Sequence, residues 1–202
     1  RSVFAVGLAG NIGLLGYYKY TDFFIENYNL LTGSDVALKH IVLPIGISFF
    51  TFQAMSYVID VYRGTSKAQK NPLYPALYIS FFPQLIAGPI VRYHEIEEQM
   101  TCRSSDIYYF GEGIKRFFIG FCKKIILANN MSIVAEEIFA MKFTTVNPLV
   151  LWLGSVCYCL HSYYDFSGYS DMAIGLGKMF GFTFPENFNY PYICSSMTDF
   201  WR

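Results

Sequence analysis

Long apolar stretches alternate with short polar connections along the 202-residue chain, a pattern typical of membrane helices. The first stretch, Val3–Tyr18, carries Ala5, Ala9 and Gly13 at four-residue spacing. Small residues at that spacing are typical of a face on which two membrane helices approach closely. A mixed polar connection is predicted over Thr21–Lys39. The pattern therefore predicts an all-α chain that contributes several segments to a membrane.

Two further apolar stretches, Ile41–Ile59 and Leu73–Val91, contain residues that disrupt helices. These residues are Pro44, Gly46, Pro75, Pro83, Gly88 and Pro89. Such breaks are tolerated at membrane depth only where protein or a wet cavity satisfies the freed backbone groups. Basic residues flank Leu73–Val91 on both sides, against the charge bias expected of a simple span. We therefore predict a broken or re-entrant segment whose two ends both lie on the cytoplasmic side.

A basic amphipathic helix is predicted over Gly113–Leu127, with its cations within one half-turn arc. The four cations are Lys115, Arg116, Lys123 and Lys124. One interpretation is a helix that lies in the membrane interface against anionic lipid headgroups, and the pattern alone favours it. The other is a wall of cations that binds the phosphates of a nucleotide-bearing ligand.

The most informative stretch is Asp165–Asp171, which places two carboxylates and two serine hydroxyls directly after the apolar run Leu149–Tyr164. An ionisable group at membrane depth costs about 2.5–3.5 kcal/mol, so it usually faces a bundle interior or a wet cavity. We predict that a polar pathway is lined by residues from this region. The candidates are His161, Asp165, Ser167, Tyr169, Ser170 and Asp171.

The two carboxylates have two interpretations of similar weight. They could pair with Arg or Lys in a structural role, or they could line the pathway. In a helix, a separation of six residues places them about 120° apart, which argues against a paired acid–base dyad. The sequence favours a structural role for Asp165, which lies against the apolar run, and a pathway role for Asp171, which lies beside Ser170.

The three histidines are predicted to have structural or solvent-exposed roles. His161 is interpreted as a hydrogen-bonded structural residue, His40 as a polar residue at a segment entrance, and His94 as a solvated residue of a charged loop. Two further features follow the acidic stretch. Ala173, Gly177 and Gly181 form a second small-residue stripe, and a constrained turn is predicted from Phe184 to Tyr192.

Composition narrows the class of protein. The chain is 53% hydrophobic and 15% charged, whereas soluble domains carry about 25% charged residues. The formal net charge is zero, so nothing indicates nucleic acid. The five cysteines are scattered, and their spacing fits neither a disulfide framework nor a zinc site. We expect no metal and no tightly bound cofactor.

Four motifs in order carry a family resemblance. They are Leu85–Tyr93 (LIAGPIVRY), Gly120–Ala128 (GFCKKIILA), Asp165–Ile174 (DFSGYSDMAI), and Pro185–Tyr192 with the later Phe200-Trp201-Arg202. The chain resembles the membrane-bound O-acyltransferases, specifically their alginate O-acetyltransferase branch, from about Ile41 onward. It is less like the branch that transfers D-alanine to teichoic acid.

The resemblance implies a helical bundle around a funnel or tunnel in the bacterial inner membrane, crossed several times by the chain. It implies acyl transfer from a cytoplasmic thioester such as acetyl-CoA toward hydroxyls of an exported polysaccharide such as alginate. An extracytoplasmic partner protein would carry the acyl group onward. The basic helix would then contact membrane lipid or the phosphates of the acyl donor.

Two histidines that the family uses are expected beyond Arg202, so no catalytic residue is assigned within the sequence. We expect residues 1–202 to form a single membrane domain, incomplete at both ends and inactive alone. The competing class is a non-enzymatic transporter or export scaffold, since broken helices around polar groups also describe permeation pathways. A Trp-His pair encoded shortly after Arg202 would favour the enzyme.

Overall fold

The computed structural model describes residues 2–84, 88–89, 91–103, 106–142 and 146–200, and each regular element in those ranges is helical. The α-helices are α1 Ser2–Thr32, α2 Ile47–Arg63, α3 Leu73–Ser80, α4 Tyr93–Thr101, α5 Ile107–Cys122, α6 Asn129–Ala140, α7 Pro148–Met179 and α8 Met197–Phe200. The all-α prediction is confirmed. The chain divides into two compact units, residues 1–86 with 92–100 and residues 87–91 with 101–202.

In the first unit, α1 and α2 pack antiparallel. The ring of Phe4 stacks on that of Tyr62 at 4.2 Å between centroids, and one turn further along Gly7 faces Val58. The predicted stripe of Ala5, Ala9 and Gly13 is instead on the exposed side of α1.

The predicted polar connection from Thr21 is wrong over its first part, because α1 continues to Thr32. The helix accommodates polar side chains because they donate hydrogen bonds to backbone carbonyls four residues earlier. Thr21 donates to the carbonyl of Tyr17, and Asn27 donates to that of Phe23. Such bonds satisfy the polar groups locally, so a polar sequence does not require a loop here.

Two glycines set the limits of α2. Gly46 precedes the helix with φ 78° and Gly64 follows it with φ 79°, both in the left-handed region that glycine tolerates best. The predicted apolar segment from Ile41 is therefore helical only from Ile47. Before it, the carboxylate of Asp22 accepts the backbone N–H groups of Lys39 and His40 at 2.9 and 3.0 Å.

The segment predicted to be broken, Leu73–Val91, begins with the short helix α3, which ends at Ser80. A single 3₁₀ turn follows at Phe82–Gln84, and the side-chain amide of Gln84 donates to the carbonyl of Tyr78. The described residues of this segment therefore do not form one continuous helix. Leu85–Ala87 and Ile90, which belong to the first family motif, lie outside the described residues.

The residues before and after this segment contact one another. The amide of Gln69 donates to the carboxylate of Glu97 on α4 at 2.9 Å, and its backbone N–H donates to the hydroxyl of Tyr57 at 3.0 Å. The ring of Tyr93 packs against those of Tyr57 and Tyr78, at 4.7 and 5.3 Å between centroids. The residues that precede Leu73–Val91 and those that follow it therefore lie beside the same end of α2.

His94 is also part of this contact, and the prediction that it is solvated is wrong. Its Nδ1 lies 3.4 Å from Oδ2 of Asp60, and its side chain is about two-thirds buried. The pairing arises because α4 packs against α2, a tertiary contact that the local sequence does not encode. His40, in contrast, is exposed as predicted.

In the second unit, α5, a π-helical segment Lys123–Ala128 and α6 follow one another without a break. Among the described residues, this 34-residue helix is the one that is long and apolar enough to cross a membrane. The predicted amphipathic helix Gly113–Leu127 is therefore the central part of a much longer element. Its length exceeds the roughly 20 residues that a membrane span requires.

Four glycines let α5 and α7 cross antiparallel at very close range. A Cβ on Gly113 would meet the carbonyl oxygen of Gly175, and one on Gly120 would meet that of Gly168. Gly113 and Gly120 are seven residues apart on α5, and Gly168 and Gly175 are seven residues apart on α7. Each helix therefore has its two glycines on one face.

The second stripe was predicted to continue through Gly181, and this part is wrong. Gly181 has φ 77° and follows the end of α7, where its N–H donates to the carbonyl of Lys178. The chain then turns back, and the ring of Phe184 lies against Gly177. The region from Phe184 to Tyr190 is irregular, as predicted, with Tyr190 in the left-handed region at φ 47°.

Candidate functional site

Asp171 is the centre of an ion-pair cluster between α5 and α7. Its Oδ1 accepts from Nε and Nη2 of Arg116 at 2.8 and 2.5 Å, and its Oδ2 accepts from Nζ of Lys123 at 2.6 Å. The Asp171 side chain is only 6% exposed. One buried carboxylate therefore joins two cations that are seven residues apart, Arg116 on α5 and Lys123 at the start of the π segment. This is the same spacing as that of the glycines that allow the close approach.

The π segment gives the next cation a separate partner. Nζ of Lys124, the residue after Lys123, is in direct contact with Oδ1 of Asp165, which lies six residues before Asp171 on α7. Lys123 itself also lies 3.4 Å from the hydroxyl of Ser167. A π turn is wider than an α turn and is often found at functional sites. Here two consecutive lysines both reach α7.

The two carboxylates have different partners, in agreement with the helical geometry that argued against a dyad. Their burial is opposite to the roles favoured from the sequence. Asp165 is 40% exposed, whereas Asp171 is almost fully buried between two cations. The structural role therefore fits Asp171 better, and Asp165 is the carboxylate that a ligand could reach.

The cluster extends to the irregular region after α7. Nη2 of Arg116 lies 2.5 Å from Oε2 of Glu186 as well as from Asp171, so one guanidinium links α5, α7 and the returning chain. Sequence reasoning did not identify Glu186, because its partner lies 70 positions away. Lys115 is separate from this cluster: it is largely exposed and lies 3.8 Å from Glu112 on its own helix.

The ion pairs limit what the four predicted cations of this helix, Lys115, Arg116, Lys123 and Lys124, can bind. Arg116, Lys123 and Lys124 each contact a carboxylate, so their charges are compensated within the protein. Binding of lipid headgroups or donor phosphates by all four cations would require these pairs to break. Such a role therefore stays a prediction, and it fits the exposed Lys115 best.

Two cavities lie beside the cluster, and the chain from Glu186 to Tyr190 contributes to both. The smaller, of about 640 Å³, is lined by charged members of the cluster together with Ser167 and Ser170. Ser170 is 2% exposed, and its hydroxyl has no hydrogen-bond partner among the described residues. A buried hydroxyl of this kind costs free energy unless a ligand or water satisfies it.

The larger cavity, of about 1030 Å³, is walled by aromatic rings and carries carboxylates and His161 in its lining. The rings include that of Phe188, which contacts the rings of Tyr163 and Phe166 edge to face. Nδ1 of His161 lies 3.0 Å from the carbonyl oxygen of Ala128, at the end of the π segment. The predicted hydrogen-bonded histidine is therefore found.

Of the six predicted pathway residues, five contribute to these two cavities. His161 and Asp165 line the larger one, and Ser167, Ser170 and Asp171 line the smaller one. Tyr169 is half-buried and is not among the residues that line either cavity. Asn189, which lies within the predicted turn from Phe184 to Tyr192, lines both cavities. Within the described ranges, no group of three or more His, Cys, Asp or Glu residues could hold a metal ion.

Comparison with known proteins identifies the family. The family model of the membrane-bound O-acyltransferases matches residues 67–202. The chain is 44% identical over 201 residues to a probable alginate O-acetylase, AlgI, of Pseudomonas putida, covering 98% of this chain and 41% of that protein. Its identity to the corresponding Pseudomonas aeruginosa protein is 45%, covering 98% of this chain and 38% of that protein.

A peptidoglycan O-acetyltransferase of Helicobacter pylori is 38% identical over 224 residues, covering 98% of this chain and 42% of that protein. The chain thus spans about two-fifths of the length of these relatives. The matched range, residues 67–202, includes the residues of this chain that form the ion-pair cluster of α5 and α7 and the chain that follows it. The chain belongs to the membrane-bound O-acyltransferase family.

Proposed function

We propose that the full-length protein is a membrane O-acetyltransferase that moves an acetyl group from a thioester toward hydroxyls of an exported polysaccharide such as alginate. The observation that carries this proposal is the family match together with 38–45% identity, over nearly the whole chain, to proteins named for O-acetyl transfer. The relatives named as alginate O-acetylases are nearer in sequence than the peptidoglycan enzyme, which favours alginate as the polymer.

The reaction requires a hydroxyl oxygen to attack the thioester carbonyl. A carbon–oxygen bond forms, the carbon–sulfur bond breaks, the sulfur leaves as thiolate, and a base accepts the hydroxyl proton. The family resemblance assigns the base to a histidine beyond Arg202. The described residues would supply the walls of the substrate pathway and the ion pairs that fix those walls.

The acyl donor in this proposal is acetyl-CoA or a similar thioester that arrives from the cytoplasm. The protein would cross the bacterial inner membrane several times, and its helices would surround a funnel. The 34-residue helix Ile107–Ala140 supports a membrane location. The many large apolar side chains exposed on it, such as Phe118, Ile126 and Ile133, fit contact with lipid or with further helices.

The partners in this proposal are membrane lipid, the exported polysaccharide and an extracytoplasmic protein that receives the acetyl group. A non-enzymatic transporter or export scaffold would use the same membrane bundle but would consume no thioester. Transfer of D-alanine to teichoic acid is the other alternative. These three functions differ in the donor that is used, so an assay of the donor separates them.

The test uses the full-length protein in membrane vesicles with radiolabelled acetyl-CoA. We expect release of free coenzyme A and appearance of label in an acetyl ester, both absent from vesicles without the protein. Release of the thiol without ester formation would indicate that the transfer partner is missing, and adding the periplasmic fraction should restore the ester. If neither free thiol nor ester forms with that fraction present, the acetyltransferase assignment is wrong.

A further inference from the structure

The chain after α7 contains a segment, residues 186–190, that is weakly attached to the rest of the protein. The segment belongs to no helix, and none of its five residues is buried. Among the described residues, none of its backbone N–H groups donates a hydrogen bond, and the carbonyl of Tyr190 accepts from Ile193 at 3.1 Å. A segment with few backbone hydrogen bonds and no buried side chain is typical of local opening.

Both ends of this segment are held, in contrast to its middle. Before it, the buried ring of Phe184 lies against Gly177. After it, the hydroxyl of Tyr192 donates to the carbonyl of Cys159 at 3.4 Å. Tyr190 connects the segment to its second fixed end at φ 47°, a left-handed conformation that is unfavourable for a residue with a side chain. Movement of the segment can relieve that conformation while both ends stay in place.

Two side chains attach the middle of the segment to the helices. Oε2 of Glu186 lies 2.5 Å from Nη2 of Arg116, and the ring of Phe188 packs edge to face on two aromatic rings of α7. The Glu186 side chain is 56% exposed, and Arg116 keeps its contact with the buried Asp171 when Glu186 leaves. The Glu186–Arg116 pair can therefore break without leaving a buried charge unpaired, which makes its loss inexpensive.

Four residues of the segment line both cavities beside the ion-pair cluster. The same side chains thus form a wall of the cavity of about 640 Å³ and a wall of the cavity of about 1030 Å³. These residues are Glu186, Phe188, Asn189 and Tyr190. Displacement of the segment removes a wall that the two cavities share.

We propose that segment 186–190 is a movable partition, held closed by the Glu186–Arg116 ion pair, and that its displacement joins the two cavities into one. A ligand too long for either cavity alone can then occupy both. The proposal goes beyond the proposed function, because it concerns access to the cavities and assigns neither of them a substrate or a reaction.

Access to the smaller cavity reports the position of the segment. Ser170 is buried and lines that cavity, so the thiol of Ser170→Cys is shielded from a small maleimide while the segment is closed. The full-length protein in detergent is treated with N-ethylmaleimide for increasing times, and each cysteine is quantified by peptide mass spectrometry. The labelling rate then follows the population of the open form.

We expect Glu186→Gln to speed the labelling of Ser170→Cys about two- to fivefold, the contribution of one exposed ion pair. The matched control is Glu112→Gln, which removes an exposed pair with Lys115 on α5. Neither Glu112 nor Lys115 lines either cavity, so this substitution should leave the rate unchanged. The same rate with and without Glu186→Gln would overturn the proposal.

Two native cysteines separate opening of the segment from general loosening of the helices. Cys157 is buried on α7 and lines neither cavity, whereas Cys102 is exposed. Glu186→Gln should change the labelling of neither. Acceleration of Cys157 together with the introduced cysteine would overturn the proposal. Ser167→Cys, at another buried serine of the smaller cavity, repeats the measurement if Ser170→Cys folds poorly.

Salt tests the ion pair by a second route. Raising the ionic strength from about 0.01 to 1 M shortens the Debye length from about 30 to 3 Å, so it weakens an exposed pair. The labelling of Ser170→Cys should become faster at high salt, and adding Glu186→Gln should abolish this dependence. Equal acceleration with and without Glu186→Gln would overturn the assignment of the pair. Each measurement is made without acyl donor or acceptor, so its outcome is independent of whether the protein transfers acetyl groups.

Discussion

At the scale of single residues, Asp171 has the largest predicted effect on stability, because one buried carboxylate compensates both Arg116 and Lys123. Removing its charge would leave Lys123 without its carboxylate partner and Arg116 with Glu186 alone, beside a side chain that is only 6% exposed. Breaking a buried pair in this way costs about 3–5 kcal/mol. We therefore expect Asp171→Asn in the full-length protein to express poorly or to melt well below the wild type in detergent.

Asp165→Asn is the matched comparison. Among the described residues Asp165 has one ion-pair partner, Lys124, and its side chain is 40% exposed, so water can take over much of the interaction. An exposed pair contributes about 0–1 kcal/mol, and the variant should melt close to the wild type. Because Asp165 also lines the larger cavity, Asp165→Asn should lower the rate of acetyl transfer even though its melting temperature stays close to that of the wild type. Equal melting temperatures for the two variants would contradict the distinction drawn from burial.

Arg116 allows a second prediction, because its guanidinium bonds two carboxylates at once. Nε and Nη2 both contact Asp171, and Nη2 also contacts Glu186. The single ammonium of lysine cannot reproduce that fork. Arg116→Lys should lower the free energy of unfolding by about 1–2 kcal/mol, measured by thermal denaturation. The control is Lys115→Arg, next to it on α5 but largely exposed, which should have no measurable effect.

At the scale of elements, the crossing of α5 and α7 depends on residues without side chains. A Cβ on Gly113 would lie 2.7 Å from the carbonyl oxygen of Gly175 and 2.9 Å from the backbone nitrogen of Met179. Backbone cannot move aside as a side chain can, so the helices would have to separate. We expect Gly113→Ala to destabilise the protein by about 1–3 kcal/mol despite the higher helix propensity of alanine.

Gly111 supplies the control within the same helix. A Cβ there would meet nothing within 4 Å, so Gly111→Ala gains helix propensity at no steric cost. The melting temperature should rise slightly, or stay unchanged, for Gly111→Ala and fall for Gly113→Ala. If both variants melt alike, the close approach is not what requires glycine at position 113.

The contacts between Gln69 and α4 lead to a topological prediction. Because the residues before and after Leu73–Val91 lie beside the same end of α2, both ends of the segment should be on one side of the membrane. Cysteines at the exposed positions Lys70 and Arg92, in a background without the five native cysteines, should both resist an impermeant thiol reagent in intact cells. Both should react after permeabilisation. Labelling of only one in intact cells would show that the segment crosses.

The helical elements followed from the sequence where periodicity and breakers agreed. The all-α class, the breaks near Pro44 and Pro83 and the irregular region after Phe184 were all predictable. Helix lengths were not predictable, because a polar side chain such as that of Thr21 can donate to a backbone carbonyl of its own helix and need not end it. The pattern of Gly113–Leu127 favours an interfacial helix over a phosphate-binding wall, and that placement stays a prediction. What the local pattern does not encode is that three of the four cations contact carboxylates of α7 or of the chain that follows it.

At the scale of the whole molecule, the site combines residues that local sequence cannot relate. The acidic motif of α7 indicated a polar site, and the glycines at seven-residue spacing on α5 and α7 could have indicated which helix faces it. Nothing local relates Glu186 to Arg116, since only the path of the chain after Gly181 brings them together. The roles of Asp165 and Asp171 depended on burial, which requires the packed helices. The family match adds the reaction class, which no arrangement of the described residues would reveal by itself.

The last prediction concerns residues 1–202 in isolation, which correspond to about two-fifths of the length of the relatives. Acyl transfer to a hydroxyl needs a base, and the resemblance assigns that role to none of the three histidines here. Nδ1 of His161 bonds to a carbonyl, and His94 pairs with Asp60. His40 is exposed, and its backbone is held by Asp22. The resemblance places the family histidines beyond Arg202. Purified residues 1–202 should therefore consume no more acetyl-CoA than a heat-treated control, while the full-length protein under the same conditions should be active. Turnover by the shorter chain would move the search for the base into the described residues, with His161 as the first to replace.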